Sequence, residues 1–256
     1  MRIALMQAPP TITPWRALNR LSDAAAEAVA CGATLLIAPE MYLSGYAVGR
    51  EAIRERECAL DDGLWAKAAE IAVKHGISIL VGGPELGGYN TVAFFDATGS
   101  LVSSYRKTHL YGDMDRDLFT AGDALSNVFE FGGLQCALAI CFDIEFPETA
   151  RTLARRGAEL LLVPTANMVP YTGVATRLVP ARAQENGVAI AYANFTGPDG
   201  TFDYCGLSCI VGPDGEDLAR AGDATGLVLA DIERDDVTRV RADLDYLSQT
   251  RTELYG

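Results

Sequence analysis

The sequence lacks the features that mark several large classes of protein. None of its segments approaches the run of about 18 apolar residues that a membrane-spanning helix needs. It has only two histidines and six scattered cysteines with no Cys-x-x-Cys pair, so we expect free thiols, no zinc site and no other metal. The G-x-S-x-G, P-loop and dinucleotide-binding motifs are absent as well, which leaves serine-hydrolase, NTP-dependent and NAD-dependent readings without support.

Positive charge is also scarce, with 21 basic residues against 34 acidic ones and a net charge of -13. This balance argues against non-specific binding to nucleic acid or to anionic membranes. The apolar stretch before Pro9-Pro10 is too short for a signal peptide and is typical of a first strand. Together with the unpaired cysteines, it predicts a reducing, cytoplasmic location.

Strands and helices alternate along the chain, and the helical patterns end at glycines such as Gly32, Gly76 and Gly187. Two β-hairpins interrupt the alternation, one turning near Gly99 and one near Gly215. We therefore predict an α/β fold with two sheet layers covered by helices. No linker divides the chain, so residues 1–242 are expected to form one domain, and the polar residues 243–256 a C-terminal arm.

Three predicted strands are followed at once by a chemically reactive side chain. They deliver Glu40 after Pro39, Lys107 after Arg106, and Cys141 after Ile140. In open α/β sheets, functional sites gather beyond the carboxyl ends of the strands. A thiol, a carboxylate and an ammonium at one edge would supply a nucleophile, a base and a group that stabilises an oxyanion.

Each of these residues has an ordinary explanation when it is taken alone. Glu40 could be a solvated loop carboxylate, Lys107 a surface lysine, and Cys141 an inert buried thiol. Their shared position after a strand favours the catalytic interpretation for all three. A second interpretation pairs Cys141 with His109, which would lie on the same strand face as Lys107. Cys136, inside the strand before Cys141, is expected to be a core residue.

Several segments resemble the carbon–nitrogen hydrolase (nitrilase) superfamily, and in particular its 5-aminopentanamide-type and stereoselective aliphatic amidases. The similar stretches are Pro39-Glu-Met-Tyr-Leu-Ser-Gly-Tyr46, Tyr105-Arg-Lys-Thr-His-Leu110, Ile140-Cys-Phe-Asp-Ile-Glu-Phe-Pro-Glu148, Leu162-Val-Pro-Thr-Ala-Asn167 and Arg182-Ala-Gln-Glu-Asn186. The resemblance extends across nearly the whole chain. It implies a four-layer αββα sandwich that dimerises through helices, a Glu–Lys–Cys triad, and no cofactor.

The resemblance also implies a role for each site residue. Cys141 would attack a carboxamide carbon while Glu40 accepts its proton, and the Lys107 ammonium and the Phe142 N–H would hold the oxyanion. Family members commonly carry a second glutamate after the lysine. Asp115 stands at that position here, with a shorter side chain.

Residues expected to bind the substrate by resemblance are Tyr46, Phe142, Glu145 and Asn167. Glu145 stands where some superfamily members that use anionic amides carry arginine. A glutamate suits a neutral or cationic substrate, such as an amide with a distal amine; alternatively, Glu145 pairs with a nearby arginine. We therefore predict an amidase that releases ammonia from a small aliphatic carboxamide. A nitrilase, an N-carbamoyl-amine hydrolase and a catalytically idle binding protein of the same fold are the alternatives.

Overall fold

The computed structural model describes residues 1–254, and its framework is two six-stranded β-sheets. The first sheet has the order β14-β1-β2-β3-β4-β5. Its central strands β1, β2 and β3 are parallel, and antiparallel pairing joins β14 to β1, β4 to β3 and β5 to β4. The strands are β1 Arg2–Gln7, β2 Leu35–Ile37, β3 Ser78–Glu85, β4 Tyr89–Phe95, β5 Leu101–Arg106 and β14 Gly226–Asp231.

The second sheet has the order β13-β12-β9-β8-β7-β6, with β7, β8 and β9 parallel. A separate two-stranded ribbon, β10 with β11, follows β9. The strands are β6 Phe129–Phe131, β7 Leu134–Leu138, β8 Leu160–Pro164, β9 Ala189–Ala193, β10 Thr196–Pro198, β11 Asp203–Cys205, β12 Cys209–Val211 and β13 Asp217–Arg220. In both sheets, a parallel centre is flanked by antiparallel strands.

Eight α-helices surround the sheets, and in residues 1–254 none is long and apolar enough to cross a membrane. They are α1 Pro14–Ala30, α2 Arg50–Arg56, α3 Gly63–His75, α4 Gly112–Leu118, α5 Pro147–Arg155, α6 Val179–Asn186, α7 Arg234–Asp243 and α8 Tyr246–Gln249. Three irregular turns of helix complete the set: 3₁₀ helices at Cys141–Glu145 and Thr252–Leu254, and a π-helix at Val174–Leu178.

The strands are buried on both faces because alternate residues enter different cores. Ile3 and Leu5 pack between the sheets, whereas Ala4 and Met6 pack under α1 and α3. The outer face of the second sheet packs against α5 and α6. The result is a four-layer αββα sandwich, as predicted. Cys136 lies fully buried between the sheets, which confirms its assignment to the core.

The structure differs from the sequence prediction in a few elements. The helix expected over 173–186 begins as the π-helix and becomes α6 at Val179. The short helices α2 and α4 were not predicted, because neither carries an apolar stripe of helical period. The assignment of 243–256 as a C-terminal arm stays a prediction; within that segment, Leu247 of α8 packs against the helical face of the second sheet. Residues 255–256 of that segment lie outside the described residues.

Candidate active site

Three predicted side chains meet where strands of the two sheets end. Glu40 follows β2, Lys107 follows β5 and Cys141 follows β7. The Lys107 Nζ lies 2.8 Å from Glu40 Oε1, and both side chains are fully buried. The charges of these two groups act directly on the Cys141 thiol. The structure therefore brings the predicted nucleophile, base and cation together.

Lys107 is held in place by both its backbone and its ammonium. Its N–H donates to the Asn90 carbonyl (2.9 Å), which continues the pairing of β5 with β4. Its Nζ donates to Asp115 Oδ2 at 2.7 Å as well as to Glu40. Burial lowers the pKa of Lys107, but the negative charges of Glu40 and its neighbours outweigh this and hold the pKa well above its ordinary value. Lys107 is therefore a permanent cation.

Asp115 lies on α4 with both carboxylate oxygens occupied. Oδ2 accepts from Lys107 and from the Tyr111 N–H (3.0 Å), and Oδ1 accepts from the Tyr46 hydroxyl. The side chain is fully buried. The resemblance placed a second carboxylate here, and the structure shows it in contact with the lysine. With both oxygens engaged, Asp115 is arranged to orient Lys107 and Tyr46.

Glu40 has one engaged and one free oxygen. Oε1 accepts from Lys107 and from Asn90 Nδ2 (2.7 Å), whereas Oε2 is buried and has no hydrogen-bond partner among residues 1–254. Burial raises the pKa of Glu40 above its ordinary value, and the Lys107 charge opposes that shift. A buried carboxylate with a free oxygen and a raised pKa is suited to accept a proton.

Cys141 occupies a sharp turn between β7 and the 3₁₀ helix 141–145. Its φ of 47° lies in the left-handed region, where non-glycine residues are uncommon. Such residues cluster at functional sites. Burial and the Glu40 charge raise the pKa of the thiol, and Lys107 and the Thr165 hydroxyl lower it by less. The resting thiol is therefore protonated at neutral pH and needs a base.

A cavity of about 100 Å³ opens onto Cys141. All four residues predicted to bind substrate line it, and Tyr111, Ala166, Met168 and Tyr171 complete the wall. The rings of Tyr111 and Tyr171 meet edge to face with their centroids 6.1 Å apart. Interaction with the Tyr171 hydroxyl raises the pKa of Tyr111 to about 12. Ala166 and Met168 follow β8 closely, so the strand-end rule could have identified them from the sequence.

Glu145 lines the cavity without forming an ion pair within residues 1–254. The nearby Arg182 guanidinium donates instead to the Glu145 backbone carbonyl (3.0 Å) and to the Glu185 carboxylate (2.9 Å). Burial raises the pKa of Glu145, and the charges of Lys107 and Arg182 oppose the shift. The carboxylate is thus free to meet a ligand in the cavity, and the arginine pairing considered from the sequence is not made.

The side chain of His109 contacts residues other than Cys141. Its Nδ1 lies 2.7 Å from Asp143 Oδ1, and its ring stacks on Phe146 with centroids 4.2 Å apart. The geometry thus favours Glu40 over His109 as the partner of the thiol. No group of three or more His, Cys, Asp or Glu residues within 1–254 is arranged to hold a metal ion.

A family model for carbon–nitrogen hydrolase matches residues 2–242. The chain belongs to the carbon–nitrogen hydrolase family. It is 45% identical to "Hydrolase in pqqF 5'region" of Pseudomonas protegens, covering 100% of this chain and 90% of that one. It is 32% identical to an (R)-stereoselective amidase of Pseudomonas sp, covering 94% of this chain and 86% of the relative.

Solved structures of this family superpose closely on the chain. An amidase from Nesterenkonia sp. is 37% identical, with a TM-score of 0.86 over 100% of this chain and 95% of that one. A glutamate-to-glutamine variant of the same amidase, 36% identical with a TM-score of 0.85 over 100% and 95% of the two chains, carries the acetamide moiety of fluoroacetamide covalently added at the active site cysteine.

Proposed function

We propose that this carbon–nitrogen hydrolase is an amidase that converts a small aliphatic carboxamide to a carboxylate and ammonia through a thioester on Cys141. The observation that carries the proposal is the buried Lys107–Glu40 pair beside the thiol, in which Lys107 bonds to Glu40 Oε1 and no side chain or backbone group of residues 1–254 bonds to Oε2. The similar amidases, including the one with a covalent adduct at its active site cysteine, support the same assignment.

The first half-reaction forms the thioester. The Cys141 sulfur attacks the amide carbon while its proton passes to the free Oε2 of Glu40, because the thiol is not ionised at rest. The Lys107 ammonium and the Phe142 N–H, at the start of the 3₁₀ helix where backbone N–H groups lack helical partners, stabilise the oxyanion. Glu40 then gives the proton to the amide nitrogen, the C–N bond breaks and ammonia leaves.

The second half-reaction restores the enzyme. Glu40, again ionised, takes a proton from a water molecule whose oxygen attacks the thioester carbon. The same two donors hold the second oxyanion, and the C–S bond breaks to release the carboxylic acid. The sulfur recovers its proton from Glu40. One carboxylate thus serves as acid and base in turn, while Lys107 keeps its charge throughout.

The cavity wall supports a finer statement about the substrate. Its volume of about 100 Å³ fits a short aliphatic chain. Four aromatic rings and the Glu145 carboxylate, which has no ion-pair partner among residues 1–254, line it, and rings with a carboxylate are a typical setting for an ammonium group. We therefore propose an amide with a distal amine, similar to 5-aminopentanamide, as the preferred substrate.

An ammonia-release assay on amides, nitriles and N-carbamoyl-amines tests the reaction class. We expect wild-type protein to release ammonia from short aliphatic amides faster than from the other two classes, and Cys141→Ala to lose that activity. Faster turnover of nitriles or carbamoyl-amines would replace the amidase assignment with one of those activities. Absence of turnover in all three classes would favour a binding protein of this fold.

A charge reversal at Glu145 tests the substrate preference. We expect Glu145→Arg to lower kcat/KM for 5-aminopentanamide more than for pentanamide, because the new cation repels the substrate amine. Glu216→Arg, on the exposed turn before β13, makes the same charge change away from the cavity and serves as the control. An equal loss on both amides would remove the amine from the proposal.

We also propose that the protein forms a homodimer or a higher homo-oligomer, and that it is located in the cytoplasm. All six cysteines are free, as a reducing compartment maintains them. A large groove of about 790 Å³ between α5 and the C-terminal segment, lined by Arg151, Tyr246 and Leu254 among others, offers a surface for a second copy. Sedimentation velocity at several protein concentrations decides the oligomeric state, and a monomer throughout would contradict it.

A further inference from the structure

Asp143 is the most heavily hydrogen-bonded carboxylate near the site, and the reaction steps above do not use it. Its Oδ1 accepts from the Thr108 hydroxyl (2.9 Å), the His109 N–H (3.0 Å) and His109 Nδ1 (2.7 Å). Its Oδ2 accepts from the Tyr105 hydroxyl (2.9 Å) and the Ile140 N–H (3.0 Å). The side chain is fully buried. Five donors from separate parts of the chain converge on one carboxylate.

These donors lie next to the two reacting residues in the sequence. Tyr105 and His109 stand two residues before and two residues after Lys107, on the segment that leaves the first sheet. Ile140 stands immediately before Cys141, on the segment that leaves the second sheet. Asp143 therefore links the backbone that carries the ammonium to the backbone that carries the thiol. Most side chains packed between the two sheets are apolar, so a buried carboxylate with donors from both sheets is a distinct feature of this layer.

The contacts require a carboxylate specifically. Each oxygen of Asp143 accepts from a main-chain N–H, one from His109 and one from Ile140. A main-chain N–H cannot become an acceptor, so both atoms at these positions must accept. An asparagine would direct its NH₂ group at one of the two N–H groups in either orientation. That N–H would be buried without a partner.

Asp143 also closes the turn around the nucleophile. Its own N–H donates to the Ile140 carbonyl (3.0 Å), while its Oδ2 accepts from the Ile140 N–H. Cys141 lies inside this loop with its φ of 47°. Left-handed backbone at a non-glycine residue persists only where the surroundings enforce it. The two bonds between Asp143 and Ile140 provide that enforcement.

We propose that Asp143 is a positioning residue that sets the placement of the Cys141 thiol relative to the Lys107 ammonium. The inference rests on the proposed function for its kinetic consequences, and on the geometry alone for thiol reactivity. Loss of the carboxylate lets the Cys141 turn relax and separates the thiol from Glu40 and Lys107. Substrate still enters the cavity, because Asp143 does not line it.

Asp143→Asn is the direct test. We expect kcat for a short amide to fall about 100-fold with little change in KM, since misplacement by about 1 Å has an effect of that order. Alkylation of Cys141 by 2-chloroacetamide, followed by peptide mass spectrometry, is expected to slow as well. This second readout needs no amide turnover, so it tests the positioning role even if the amidase assignment fails.

Glu159→Gln is the matched control. Glu159 is also a buried carboxylate, and it accepts from the Gln135 N–H (2.9 Å) and from Arg234 Nε (2.9 Å), away from the cavity. We expect Glu159→Gln to lower the melting temperature while leaving kcat and Cys141 alkylation near wild type. If folded Asp143→Asn matches Glu159→Gln in kcat and alkylation rate, the positioning role is refuted.

Tyr105→Phe decides the question if Asp143→Asn does not fold. The substitution removes one donor to Oδ2 and keeps the buried ring. We expect a smaller fall in kcat, again without a matching rise in KM, together with slower alkylation of Cys141. Wild-type values of both kcat and alkylation rate in folded Tyr105→Phe would overturn the proposal.

Discussion

The two sheets supply opposite kinds of side chain to the site. The first sheet supplies charges that are held by several hydrogen bonds: Lys107 is bonded to Glu40 and Asp115, and Asn90 donates to Glu40. The second sheet supplies Cys141, a thiol that burial keeps protonated in the resting enzyme. The buried charges of Lys107 and Glu40 thus neutralise each other, and both residues follow strands of the same sheet. The nucleophile comes from the other sheet.

This division also explains the ionisation of the thiol. A buried ion is tolerated when other charges and donors surround it, and the first sheet provides these for Lys107. Cys141 lies beside a cation, yet burial and the Glu40 carboxylate favour the protonated thiol. Of the three reacting side chains, the two that follow strands of the first sheet therefore carry the charge before the reaction begins. The proton transfer to Glu40 and the attack on the amide must then be closely linked.

The largest expected effect comes from removing the charge of the first sheet. Lys107→Met leaves the Glu40 and Asp115 carboxylates buried without their counterion, so we expect the free energy of unfolding to fall by about 3–5 kcal/mol. Amide hydrolysis is expected to be lost. Chemical denaturation measures the first effect, and ammonia release the second.

Cys141→Ala is the counterpart on the second sheet. We expect it to abolish hydrolysis while changing the free energy of unfolding by less than about 1 kcal/mol, because no ion loses its partner. Equal losses of stability in Cys141→Ala and Lys107→Met would show that the thiol is as firmly built into the structure as the cation. The contrast between the sheets would then fail.

A shift in the pH profile is the next largest expected effect. Burial raises the pKa of Glu40 above its ordinary 4.5, so the base is protonated and lost as the pH falls through that higher value. We expect the acidic limb of kcat/KM to lie above pH 4.5. Asn90→Ala removes a donor that lowers the pKa of Glu40 and should move the limb to still higher pH. A limb that stays in place in Asn90→Ala would argue against Glu40 as the titrating base.

The smallest expected effect concerns His109, whose ring hydrogen-bonds to Asp143. Its hydrogen bond to Asp143 raises the pKa of His109 above its ordinary 6.5, burial opposes the shift, and the charges of Asp143 and Glu148 add to it. The resulting stabilisation is fully present below pH 6.5 and is lost as the pH rises through the raised pKa. We expect the stability difference between wild type and His109→Asn to shrink over that range. A difference independent of pH would contradict this.

The parts of the fold with strong local signals could be predicted from the sequence. The helices before Gly76 and Gly187 end there because glycine readily adopts the left-handed cap, with φ of 64° and 56°. Both hairpins and the parallel strands were found from their apolar runs and turns. The helices α2 and α4 were missed because their residues are mostly charged, and tertiary contacts form them.

The residues of the site also fall into those that could be predicted from the sequence and those that could not. Glu40, Lys107 and Cys141 could be located because each follows a predicted strand closely, and the resemblance supplied Asp115 and the cavity residues. The role of Asp143 could not be found, since its donors Tyr105 and Ile140 are 35 residues apart along the chain and meet only in the folded protein. The free Oε2 of Glu40 and the contact between Tyr111 and Tyr171 likewise depend on side-chain geometry that spacing does not encode.

The most direct test of the central claim is acid-quenched mass spectrometry of the wild-type protein during turnover of a short amide. We predict that the peptide containing Cys141 gains the mass of the acyl group, and that hydroxylamine removes it as expected for a thioester. The Cys141→Ala protein gains no such mass. Steady ammonia release with no acyl group on Cys141, or with the acyl group on another residue, would contradict the account.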